Sequence, residues 1–325
     1  MRERLTITPR RYAQVTLIAL AALALIVLTG AAVRLTGSGL GCPDWPKCYG
    51  GTVPPLETHA VIEYGNRLLT GFVGLAVIAA GAGAWFRKPF RGHLALFGAL
   101  LPLGVLGQAI LGAFVVRYHL APGLVMGHFI LSMLLLDAAF ALAWCARYEP
   151  GERRFSTDRL GVWAVRALVP IGQLTILVGT ITTGSGPHAG AHEGELVHRF
   201  DFEGTGTLEW MVQRHSAMAA LFGLAAIAVW LLLRRRGGDR RAARPLAAVI
   251  ALLGLQGIVG GVQWALELPS ELVWLHVALA TATWLAMLWT VAGAGRLERR
   301  KSRKDQAAEE SRSAPGARTP ALTQS

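Results

Sequence analysis

Eight apolar stretches of about 20 residues each divide this 325-residue chain. A run of that length crosses the roughly 30 Å hydrocarbon core of a bilayer as a helix, and within lipid only helices and closed barrels satisfy their own backbone. The stretches lie at Ala13–Val33, Val61–Trp85, Leu94–Val116, Gly123–Ala146, Val162–Thr183, Leu208–Leu233, Leu246–Trp264 and Leu272–Val291. The expected fold is an all-α polytopic membrane protein with eight transmembrane helices. Composition agrees, since 53% of the residues are hydrophobic and only 16% charged, a balance foreign to a soluble domain of this length.

The formal net charge of +12 would suggest nucleic acid in a soluble protein, so the placement of the charges decides its meaning. They fall between the apolar runs. Arg2, Arg4, Arg10 and Arg11 precede the first, Arg87, Lys88 and Arg91 follow the second, and Arg147, Arg153, Arg154 and Arg159 follow the fourth. Arg234, Arg235, Arg236, Arg240, Arg241 and Arg244 follow the sixth, and Arg296, Arg299, Arg300 and Lys301 follow the eighth. Basic connections stay in the cytoplasm, so both termini are expected there and no nucleic-acid partner is implied. The connections at 34–60 and 184–207, with short turns near His119 and Leu268, are then outside. A cleaved signal peptide is the alternative reading of the first stretch, and the internal repeat argues against it.

That repeat has a spacing of nearly 150 residues. Leu35-Thr36-Gly37-Ser38-Gly39 recurs as Thr182-Thr183-Gly184-Ser185-Gly186, and Gln108-Ala109-Ile110-Leu111-Gly112 recurs as Gln256-Gly257-Ile258-Val259-Gly260. In the same register His128 falls on His276, whereas Asn66 falls on His215. Four helices separate each matched pair, so two four-helix bundles related by an axis along the membrane normal are expected. The organisation is a cytoplasmic N-terminus at 1–12, a first half at 13–146, a cytoplasmic linker at 147–161, a second half at 162–294 and a disordered tail at 295–325, where periodicity ends.

His128, His215 and His276 each lie a few residues into a helix that starts outside, at one common depth with Glu63 and Asn66. Ionisable groups inside a membrane are costly unless paired, and a neutral imidazole is a natural axial ligand for haem iron. His215 and His276 are therefore read as a bis-histidine clamp. His128 has no histidine mate, because Asn66 occupies the matching position. His59 lies seven residues before Asn66, roughly 10 Å along a helix, too far up to replace it. Glu63 stands one turn before Asn66, where its carboxylate can relay protons or position a reacting group; an i, i+4 ion pair with Arg67 is equally open.

Cys42 and Cys48 flank Pro43-Asp44-Trp45-Pro46-Lys47 in the first outer loop, facing an oxidising compartment. A structural clip and a redox pair both stay open. The other long outer loop holds His188, His192 and His198 among Glu193, Glu195 and Asp201, where a metal site is the weaker alternative to a solvated loop.

The stretch Val33-Arg34-Leu35-Thr36-Gly37-Ser38-Gly39-Leu40-Gly41-Cys42 through Cys48 resembles the first outer loop of the heme A synthase family. Ile62-Glu63-Tyr64-Gly65-Asn66-Arg67 resembles its acidic motif, and the three histidines fall where its haem-ligating histidines occur. The resemblance spans about residues 10 to 295. It implies an oxidoreductase of the cell membrane that converts a methyl group of haem O to the formyl group of haem A, for terminal oxidase assembly. It also implies haem b on His215 and His276, substrate haem O contacted by His128, Glu63 as the essential acid, and Cys42 and Cys48 as the outer pair. Implied partners are the haem O synthase and an unidentified electron donor, with self-association left open. Asn66 departs from the family pattern, which often has a fourth histidine there, and makes it a contact of the substrate site; a second cysteine pair is also lacking. A quinol-linked electron-transfer subunit and a transporter are the competing readings.

Overall fold

The computed structural model describes residues 6–149, 151–152, 155–191, 197–237 and 240–297. Eight long helices run through it: α1 (Pro9–Leu35), α2 (Thr58–Phe86), α3 (Gly92–Arg117), α4 (Pro122–Arg147), α5 (Arg159–Ser185), α6 (Thr207–Arg235), α7 (Arg240–Ala265) and α8 (Ser270–Ala294). All eight are long and apolar enough to cross a membrane. Each runs a few residues past its apolar stretch, and two of them start at a capping side chain. Thr8 Oγ1 accepts from the amide of Arg11 at the start of α1, and Asp158 Oδ1 accepts from Gly161 at the start of α5, each satisfying an amide that the helix leaves open. Proline opens α1 and α4, where its missing N–H costs nothing.

α1, α2, α3 and α4 pack as one ring, and α5, α6, α7 and α8 as a second. α1 against α8 and α4 against α5 and α8 join the rings. Leucines, valines and alanines such as Leu101, Leu136, Val165 and Leu246 fill the interior, while Phe72, Leu75, Leu224 and Ile258 point outward and are about two-thirds exposed. An apolar exterior over an apolar interior is the arrangement lipid demands. Since lipid gives no hydrophobic drive between helices, close backbone approach replaces it. A methyl group on Gly81 would lie 2.7 Å from the carbonyl oxygen of Gly98, so α2 and α3 meet backbone to backbone.

The short connections α3–α4 and α7–α8 share an unusual conformation. His119 and Leu120 in one, and Glu267 and Leu268 in the other, all have φ between 48° and 64°. Two consecutive left-handed residues are strained for side chains of this size. They reverse the chain within a few residues and fix how α4 and α8 begin.

At the end of the bundle opposite these turns, Arg87 is fully buried and pairs with Glu149, and Arg236 pairs with Asp158 at 3.2 Å. Phe155–Ser156 (β1) pairs in parallel with Arg296–Leu297 (β2). Those two residues fall inside the expected tail, so regular structure continues past its proposed start; the tail from residue 298 lies outside the described residues. So do Arg2, Arg4, Arg153, Arg154, Arg299, Arg300, Lys301, His192, Glu193 and Glu195.

Candidate functional site

A cavity of about 720 Å³ opens between the two rings and receives His128, His215 and His276 as well as Glu63, Asn66 and Gln263. Its volume is in the range of cofactor sites. The tight turns place His128 on the second turn of α4 and His276 on the second turn of α8, at one level below the loop end. His215 reaches the cavity from the third turn of α6.

The rings of His215 and His276 face each other with centroids 6.2 Å apart and planes at 66°. Two metal–imidazole bonds of about 2 Å end to end, with half a ring at each side, add up to roughly 6 Å. The pair therefore has the spacing of two axial ligands on one metal. Nδ1 of His128, His215 and His276 is buried without a hydrogen-bond partner, so no described protein group holds these rings through that nitrogen. Glycine on a neighbouring helix gives each ring its room. A Cβ on Gly179 would lie 2.7 Å from Cε1 of His215, on Gly260 3.5 Å from Cε1 of His276, and on Gly112 3.7 Å from Cε1 of His128. The donor set and this cradle fit a bis-histidine haem. His128 has no such partner ring among the described residues, and Asn66 also lines the cavity.

Asn66 is itself held, since Thr29 Oγ1 donates to its Oδ1 at 2.8 Å. Gln108 Nε2 donates to the His128 carbonyl at 3.0 Å and to Ser132 Oγ at 2.7 Å, which ties α3 to the helix carrying His128.

Glu63 is buried and joins the cavity wall to the first long loop. Its Oε1 accepts from Nε of Arg67 at 3.1 Å, and its Oε2 accepts from the backbone amide of Cys42 at 2.7 Å. The ion pair with Arg67 that the sequence left open forms, and the carboxylate also lines the cavity. Arg67 in turn donates to the carbonyls of Asp44 and Lys47, each at 2.9 Å. Cys42 and Cys48 form a disulfide. The loop is thus wrapped around one guanidinium, a role no local pattern around Arg67 reveals.

The other polar residues are spoken for in different ways. His59 hydrogen-bonds Ser38 Oγ at 2.9 Å, at the head of α2 and above the cavity residues. His188 meets the Leu268 carbonyl at 2.7 Å. Among the described residues no cluster of three or more His, Cys, Asp or Glu could hold a metal ion, and His192 lies outside them. Sequence reasoning passed over Asp137, whose Oδ1 accepts from the indole of Trp284 at 2.6 Å across the two rings. An acid inside an apolar run is the signal that could have found it. It also passed over Arg34 and Arg199, which stand at the loop end of the cavity.

Residues 13–191 match the family model described as cytochrome oxidase assembly protein (COX15-CtaA). The chain is 28% identical over 164 residues to a heme A synthase of Lysinibacillus sphaericus, covering 48% of this chain and 53% of that protein. It is 32% identical over 184 residues to a heme A synthase of Shewanella oneidensis, covering 49% of this chain and 52% of that one. A protoheme IX farnesyltransferase of Thermus thermophilus is 31% identical over 285 residues, which are 83% of this chain and 46% of that protein. The chain thus spans about half the length of these curated relatives. With the eight apolar helices, the family match over more than half of its length settles kinship: the chain is a multi-pass membrane protein and belongs to the cytochrome oxidase assembly protein family.

Proposed function

We propose that this protein is a heme A synthase, an oxidoreductase that converts a methyl group of haem O to a formyl group through hydroxylation steps, giving haem A. The observation that carries this reading is the placing of His215 and His276 at ligand spacing on the cavity that His128 and Glu63 also line. The names of the heme A synthase relatives support the substrate. The farnesyltransferase relative supports a handover from a haem O synthase, because a protein named for farnesylating protohaem contains a stretch like this chain.

In this reading His215 and His276 hold haem b in the second half of the chain, residues 162–294, and His128 holds haem O in the first half, residues 13–146. A haem bound between two histidines supplies one-electron redox chemistry. Asn66, held by Thr29, would line the substrate site together with His128 and would offer its iron no second strong protein ligand. Glu63 is the acid of the site. Oε1 of its carboxylate accepts twice from Arg67 and Oε2 once from Cys42, which leaves one lone pair on Oε2, so that oxygen can accept a proton while the carboxylate stays in position. In this reading both termini lie in the cytoplasm and the disulfide loop lies outside the cell membrane, which the basic loops support.

Pigments extracted from cells making haem O, with and without this protein, test the reading. Haem A is expected only with the protein. Haem b that stays bound while haem A never forms would make the protein an electron carrier instead.

A further inference from the structure

Two guanidiniums share the loop end of the cavity. Arg34, in the last turn of α1, is half-buried, lines the cavity and donates from Nη1 to the His188 carbonyl at 2.6 Å. Arg199 lines the same cavity, donates from Nη2 to the Pro187 carbonyl at 2.5 Å, and lies close enough to Arg34 to act on it electrostatically. Among the described residues no carboxylate pairs with either; the ion pairs that do form are Glu63–Arg67, Arg87–Glu149 and Arg236–Asp158. Like charges brought together beside an apolar cavity repel strongly, since little water screens them.

Both arginines are held from behind. Their protein bonds go to backbone carbonyls of one loop, and that loop is fixed in turn. Gly39 donates its amide to Gly190 at 2.7 Å, His188 bonds the Leu268 carbonyl, and Phe200 donates its amide to Gly184 at the end of α5. A guanidinium has five N–H donors arranged as a fork, so each arginine keeps donors for a further acceptor. Two anchored forks with no acid paired to them among the described residues call for an anion with two acceptor groups.

Height in the bundle indicates which ligand supplies it. The Trp274 indole donates to the Leu28 carbonyl at 3.0 Å, which sets α8 beside α1. Arg34 is six residues beyond Leu28, about 9 Å further towards the loop end, and His276 is two residues below Trp274, about 3 Å. An arginine side chain reaching back spans much of that interval. We propose that Arg34 and Arg199 form a carboxylate-binding pair for the two propionate side chains of the haem held by His215 and His276. This rests on the haem reading given under Proposed function.

The test uses full-length protein purified from haem-depleted cells and titrated with protohaem or with protohaem dimethyl ester, followed by the Soret band of the reduced and oxidised forms. Wild-type protein is expected to prefer the free acid by at least about tenfold, since one lost charge-assisted bond already costs that much. Arg34→Gln and Arg199→Gln are expected to keep the bis-histidine spectrum while that preference shrinks towards unity. Arg34→Lys, which keeps the charge without the fork, is expected to fall between. Equal binding of acid and ester by the wild type, with an intact bis-histidine spectrum, overturns the arginine pair and leaves the haem reading standing. Absence of a bis-histidine spectrum with either probe overturns the haem reading itself. A Gln variant that binds no haem is decided by the Lys variant: recovery of the spectrum with the acid but not the ester supports the pair, and undiminished ester binding overturns it.

Discussion

Single atoms decide what the histidine rings tolerate. Gly179→Ala would put a methyl group 2.7 Å from His215 Cε1, and the ring cannot yield without leaving its mate, whereas Gly260→Ala places one at an ordinary 3.5 Å from His276. Overpacking of this kind costs about 1–3 kcal/mol, which taken from binding is roughly 5- to 150-fold in affinity. Gly179→Ala is therefore expected to lose haem b at unchanged protein level, and Gly260→Ala to keep it, as read by pyridine haemochrome content. His276→Ala should abolish the bis-histidine spectrum, and His128→Ala should leave it intact; retention of full haem b in His276→Ala would refute the ligand assignment. The convergence of the three histidines on one cavity was legible in the sequence because they share one depth and because His128 and His276 recur in register. Arg34 was not. It is one basic residue at a helix end, and its meaning depends on a loop more than 150 residues away along the chain, reached through the His188 carbonyl.

A helix and a loop make the unit around Glu63. Arg67 and Glu63 are 17% and 8% exposed, so removing the guanidinium strands a buried carboxylate and releases the carbonyls of Asp44 and Lys47 together. Arg67→Gln is expected to cost about 3 kcal/mol, seen as a lower unfolding midpoint in detergent. It is also expected to speed reduction of the Cys42–Cys48 disulfide by an impermeant reductant. An unchanged reduction rate would mean that the disulfide alone shapes the loop. The eight helices were readable from apolar length, because lipid turns hydropathy into a ruler. The helix ends, and the left-handed turns at 119–120 and 267–268, were less so, since capping and turn geometry depend on a few local bonds that hydropathy ignores.

Across the described residues of the whole molecule, the two rings are joined inside the apolar zone by the bonds from Trp284 to Asp137 at 2.6 Å and from Trp274 to the Leu28 carbonyl at 3.0 Å. Trp284→Phe keeps the packing and is expected to destabilise the protein by about 2 kcal/mol, with Asp137→Asn affected less because an amide oxygen still accepts. Equal stability of Trp284→Phe and wild type in thermal unfolding would show that this bond does not help to join the rings. Orientation is testable by labelling. A membrane-impermeant maleimide on intact cells should modify Leu56→Cys, at a residue 98% exposed in the first loop, and should modify Lys88→Cys only after permeabilisation. The eight helices were legible in the sequence, but the cavity between the rings was not, because residues of both halves line it. The bond from Gly39 to Gly190 gives this a consequence during synthesis. Residue 39 leaves the ribosome about 150 residues before the partner that closes over it. The first four helices can thus be inserted and packed while the space beside His128 still lacks its roof, so the cavity is completed only when the fifth helix and the loop behind it arrive.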